Sequence, residues 1–250
     1  MPVRAGYVID VRDAPAARDA GDTVTRRVTI DRSSGCELLE QRVEEYDPGR
    51  SLPRRLHDRH EVLYVVAGRG TIAINGREDS LEPNAGVFVA AGDEYVVDAQ
   101  EPLTIVAVSA PAEHAARPED GRRVVRYADQ PRLPATPNRE FRYLVNEAIG
   151  CPDVTQFIGV IPPGNAGMHS HTYDEVVYVI EGKGVLHLGG ETTPLEPGTC
   201  IHLPPLEEHC LENVGSTPMR VLGVFHPSGD PASRAWEEGK HGNNERGSSS

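Results

Sequence analysis

Apolar and polar positions along the chain change over on a short scale. Runs of Val, Ile, Leu and Tyr are punctuated by Gly, Pro, Asp and Asn, a pattern of many short strands and turns rather than long helices. The first strands are expected near Thr23: V-T-R-R-V-T-I-D and C-E-L-L-E-Q-R-V-E-E-Y carry β-rich composition, and D-P-G at Asp47 to Gly49 closes the second. Similar runs recur as V-V-R-Y, F-R-Y-L-V, V-V-Y-V-I and V-L-H-L. The fold class is therefore all-β.

The pattern also repeats itself. Glu61 falls on Glu175 at an offset of 114 residues, keeping E-V-x-Y-V-x-x-G-x-G in step and placing L-E-P at Leu81 to Pro83 on L-E-P at Leu195 to Pro197. Two copies of one unit imply two similar β domains. The expected division is 1–116 for the first, 117–139 for a Pro-rich charged connection containing one strand, 140–228 for the second, and 229–250 for a polar tail, where His241 reads as a solvated residue.

Composition narrows the partners. Of 250 residues, 38 are acidic and 25 basic, a formal charge of −13 that opposes nucleic acid and anionic membrane surfaces. No run approaches the roughly 18 apolar residues of a membrane span, and the first residues lack the apolar core of a signal peptide. A cytoplasmic protein with a small-molecule partner is the expectation. Cys36, Cys151, Cys200 and Cys210 show no zinc-like spacing and read as reduced thiols.

The chemistry lies in the second copy. His169 and His171 are two apart and share one face of a strand, Glu175 heads the apolar run that follows, and His209 arrives after Pro204 and Pro205, where a neighbouring strand returns it to the same cavity. Three imidazoles and a carboxylate suit Fe(II), Mn(II), Co(II), Ni(II) or Zn(II). On a six-coordinate ion, four protein ligands leave two positions for substrate. Tyr173, His187, His202 and Arg142 are candidate substrate contacts, Arg142 through bidentate binding of a carboxylate.

These residues carry a family resemblance. Gly164, His169, His171, Glu175 and Gly182 match the first motif of the cupin superfamily, and His209 and Asn213 match the second, although Leu206 stands where Gly is common. With the repeat included, the chain resembles a bicupin, two tandem double-stranded β-helix (jelly-roll) barrels. The ungapped offset sets Arg55, His57, Glu61 and Tyr95 on the four ligand positions of the first copy, a degenerate site with two of the four residues replaced. Its rival is a site rebuilt from His57, His60, Glu61 and Tyr95. The resemblance also implies a homodimer.

The leading expectation is one divalent metal per chain, Fe(II) first, in a non-haem oxygenase acting on a small polar metabolite. A redox-inert Mn or Zn hydrolase, isomerase or decarboxylase is the alternative. Ureidoglycine aminohydrolases are one example of that class, though their ligand set differs from this one. A non-catalytic binding cupin is the third reading.

Overall fold

The computed structural model describes residues 6–115, 121–136, 139–164 and 167–232, so most of the expected tail, with His241, lies outside the described residues. Each half of the chain folds into a seven-stranded antiparallel sheet faced by a smaller one. In the first barrel the large sheet centres on Arg59–Ala67 between Ala85–Val89 and Leu103–Pro111, with Glu40–Tyr46 next. In the second it centres on Asp174–Glu181 between Thr199–Leu203 and Met219–His226, with Thr155–Ile161 next. This is the tandem jelly roll that the repeat predicts.

Alternation along each strand divides the side chains between two interiors. Glu175, Val177 and Val179 face the cavity of the second barrel, whereas Val176 and Tyr178 face away from it. In an isolated barrel that outer face would be wet. Here the large sheets of the two barrels pack on each other, burying Val62, Tyr64, Phe88 and Val106 of one against Val176, Cys200, Leu222 and Val224 of the other in a single core. Central strands are thus apolar on both faces, which is why V-V-Y-V-I reads as a run rather than an alternation. Approach is close at Gly86, where a Cβ would stand 2.7 Å from Leu144 Cβ and 2.8 Å from Gln156 Oε1.

Sheet membership crosses the expected boundaries twice. Tyr7–Asp10, assigned by position to the first barrel, pairs antiparallel with Thr199–Leu203 and so forms the edge of the second. Val124–Arg126, the expected strand within the connection, pairs with Ala85–Val89 of the first. The connection is further fixed by Tyr127, whose ring lies under the guanidinium carbons of Arg142 and Arg220 at 4.4 and 4.8 Å. No disulfide joins the four cysteines, all of which are buried.

Candidate metal centre

The ligand residues of the second barrel are brought together by backbone pairing. His169 and His209 oppose each other in an isolated antiparallel bridge, exchanging N–H···O bonds of 3.0 and 2.8 Å, and their ring centroids are 4.5 Å apart. His171 follows two residues on, with its ring 4.9 Å from that of His209. Glu175 enters from the adjoining large sheet, and its Oε2 lies 3.1 Å from His171 Nε2.

Each imidazole needs one nitrogen held and the other presented. His171 Nδ1–H donates to the Tyr173 carbonyl at 2.8 Å, and His209 Nδ1–H donates to the Glu207 carbonyl at 2.9 Å, fixing the tautomers that leave Nε2 as a lone pair. Burial, reinforced by His171, holds His209 down at about 4, so this ring is neutral at physiological pH. The buried Nε2 of His171 has no hydrogen-bond partner, despite its nearness to Glu175. Two donors roughly 3 Å apart is the separation that adjacent vertices around an ion with bonds of about 2.1 Å require. The residues therefore fit a divalent metal, with His169, His171, Glu175 and His209 as the groups that would hold it.

Neighbouring positions are shaped around these ligands. A Cβ on Gly223 would meet the Phe157 ring at 2.4 Å and Glu175 Oε1 at 2.8 Å, so this strand position admits only hydrogen. Asn213 donates Nδ2–H to the carbonyls of Ile161 and Thr217, both at 2.8 Å, and serves the turn rather than the cavity. Leu206, standing where the motif commonly has Gly, has φ +64°, the left-handed conformation that Gly adopts without strain.

The four residues line a cavity of about 90 Å³. Its walls include Phe141, Phe157, Leu203 and Leu211, and Tyr173 stacks between His171 (centroids 4.2 Å) and Phe225 (3.9 Å). Of the expected substrate contacts, Tyr173 alone is among these walls. Arg142 is turned to the opposite face of its strand, donating to the Tyr127 carbonyl at 2.8 Å. His187 bonds Glu212 at 2.8 Å, and His202 bonds Asp174 at 2.8 Å on the face towards the first barrel. The cation that does reach the cavity is Arg139, anchored by an N–H bond to the Leu211 carbonyl. Strand parity holds the clue: Arg139 shares the face of Phe141, and Arg142 cannot.

The first barrel departs further from a metal site than the ungapped comparison suggests. Tyr95 pairs with Arg54, as His209 pairs with His169, and the Leu56 carbonyl accepts from Gly92 as the His171 carbonyl accepts from Leu206. One extra residue precedes Glu61, so the equivalent positions are Arg54, Leu56, Glu61 and Tyr95. Arg55 instead points outward to Glu94 at 3.2 Å, His57 is exposed, and His60 faces the barrel interface, where its Nε2 is 3.2 Å from Asp153. The rebuilt site does not assemble.

Its place is taken by ions of the protein's own. Buried Arg42 pairs with Glu61 and Glu44, Arg54 approaches Glu61 at 3.5 Å, and Tyr46 donates to Glu44 at 2.7 Å. Burial opposes ionisation of Glu61, but Arg42 and Arg54 outweigh it and hold the carboxyl below its usual range. Burial likewise pushes the Tyr95 hydroxyl far up, keeping it a neutral phenol. By strand register, Arg42 and Glu44 occupy the places of Phe157 and Gly159 in the second barrel. One barrel is filled by a salt-bridge network where the other keeps a cavity.

Comparison with known proteins follows this division. The family model Cupin_2, described as cupin domain, matches residues 42–109 and 157–225. The chain belongs to the cupin family. Among solved structures, this bicupin resembles oxalate decarboxylase of Bacillus subtilis (TM-score 0.72, 15% identity, 90% of this chain and 78% of that one). It also resembles the Lactobacillus farciminis oxalate decarboxylase formate complex (TM-score 0.71, 15% identity, 88% and 86%). A curated relative, the oxalate-binding protein of Thermotoga maritima, is 35% identical over 67 residues, which are 26% of this chain and 55% of that protein. Uncharacterized protein MJ1618 of Methanocaldococcus jannaschii is 33% identical over 70 residues, 27% of this chain and 56% of that protein. The matches thus span just over half the length of these two curated relatives. At such identities the structural neighbours establish the fold. None of these proteins is named an oxygenase or an iron protein, and the Bacillus enzyme is described with Mn(II) centres. The expectation of an iron oxygenase has no support among them, and the decarboxylase alternative fits better. No helix among the described residues is long and apolar enough to cross a membrane.

Proposed function

We propose that this cupin is a Mn(II)-dependent lyase that decarboxylates a small carboxylic acid of about the size of oxalate. The observation that carries the reading is a 90 Å³ apolar cavity closed at one end by His169, His171, Glu175 and His209 and bordered by Arg139. That space corresponds to roughly three water molecules, enough for a substrate of a few heavy atoms. The bound metal would supply Lewis-acid polarisation of a substrate carboxylate. Arg139, tethered to Leu211, offers the positive charge that draws an anionic acid into an otherwise apolar site. The walls of Phe141, Phe157 and Leu203 exclude water from the reacting carboxylate, disfavouring localised charge and favouring release of neutral carbon dioxide.

For hydrogen oxalate the balance closes without oxidant: the C–C bond breaks, one half leaves as CO2, and the substrate's own proton ends on carbon as formate. The full chain loaded with Mn(II) should convert labelled oxalate to CO2 and formate in equal amounts, with little product from the His209→Ala variant. Failure to turn over oxalate or its small homologues would overturn the proposal. Saturable oxalate binding by calorimetry without product would instead support a binding role, the reading favoured by the Thermotoga relative's name.

A further inference from the structure

Outside the cavity, the densest meeting of metal-ligating chemistry lies between the barrels. Cys36, Asp174 and His202 are all buried, and a ligand atom of each lies within 4.8 Å of the others. Cys36 comes from the loop after the short helical turn Arg32–Ser34 of the first barrel, whereas Asp174 and His202 are paired across the large sheet of the second. They occupy the face opposite to the cavity, so none of them belongs to the site described above.

Two properties of this cluster point to a cation. Charge is the first: a dication held by a thiolate, a carboxylate and a neutral imidazole forms a unit with no net charge, as a dry interface demands. Second, the loop is built around its sulfur. Burial, with Asp174 next, pushes the thiol up to about 12, while the backbone amides of Leu39 and Leu38 turn toward the sulfur and favour thiolate. The same loop recurs in the second barrel, where Gly150 follows its own helical turn and the amides of Val154 and Asp153 face the sulfur of Cys151. There the facing residues are His60 and Phe88 in the register positions of Asp174 and His202, so the cluster exists on one side alone.

We propose that Cys36, Asp174 and His202 form a second, structural metal site, selective for Zn(II) or another thiophilic dication, that pins the two barrels together. The ion replaces the thiol proton, which leaves to solvent. Because the cluster is enclosed, loading accompanies docking of the barrels during folding.

Cobalt reports the two sites separately, since the cavity offers nitrogen and oxygen donors alone and only a cysteine ligand gives thiolate-to-cobalt charge transfer. The full-length chain produced in Co(II)-supplemented medium should contain about two ions and show that near-ultraviolet band. Cys36→Ser should lose the band and fall to about one ion, the retained ion showing that the cavity, and hence the fold, is intact. Cys151→Ser should keep both ions and the band. A cobalt-grown wild-type chain without the band, or a band that survives Cys36→Ser, overturns the proposal. Inactivity toward oxalate would leave this result untouched.

Discussion

At the scale of single residues, the two barrels show how few substitutions separate a metal site from a salt bridge. Arg42→Met removes the partner of buried Glu61 and Glu44 and should destabilise the chain by about 3–5 kcal/mol in urea denaturation, because uncompensated buried carboxylates remain. Metal content should not change. Gly223→Ala makes the converse prediction. With Cβ directed at Glu175 Oε1 and the Phe157 ring, metal affinity measured by competitive chelation should fall about 10–100-fold while the chain stays folded. The ligands themselves were legible: an HxH pair, a carboxylate and a distal His at fixed spacing constrain one another. Arg42 and Arg54 were not, because an ungapped comparison passes over the extra residue before Glu61 and assigns their roles to Arg55 and His57. Nor was Arg139, since a charged strand face looks alike from either side until the partner strands are known.

Among the elements, the strands were visible and their coverings were not. Apolar runs announce that both faces are buried without naming what buries them, and here the answer is the other barrel. Gly86 marks the tightest point of that contact. Gly86→Ala would drive a methyl group into Leu144 and Gln156, and should cost about 1–3 kcal/mol through overpacking, measured as a lowered urea midpoint. The pairing of Tyr7–Asp10 with Thr199–Leu203 was beyond local pattern, since strand composition says nothing about a partner so distant in the chain.

Across the whole molecule, the barrels are also joined by titrating groups. Asp153 of the second accepts N–H bonds from Glu113 and His114 of the first at 3.0 Å, and the His114 ring at 2.6 Å. Burial opposes the Asp153 charge, but these bonds prevail and lower its pKa, so its contribution is full above the ordinary 3.8 and is lost as pH falls through the lowered value. His114 is raised by the bond to Asp153, so its contribution is full below the ordinary 6.5 and is lost as pH rises through the raised value. The melting-temperature gap between wild type and Asp153→Asn should therefore be widest near pH 5, on the order of the midpoint of that window, and narrow on either side. The edge strand Tyr7–Asp10 carries a different consequence, one of timing. Its partner at Thr199–Leu203 is synthesised roughly 190 residues later, which at ribosomal speeds is a wait of about 10–40 s. A nascent chain can close its first barrel while still being made, but the second must remain an open edge until a segment from the start of the chain folds back upon it. Fusions that restrain that early segment should slow maturation of the metal-bearing half more than the other.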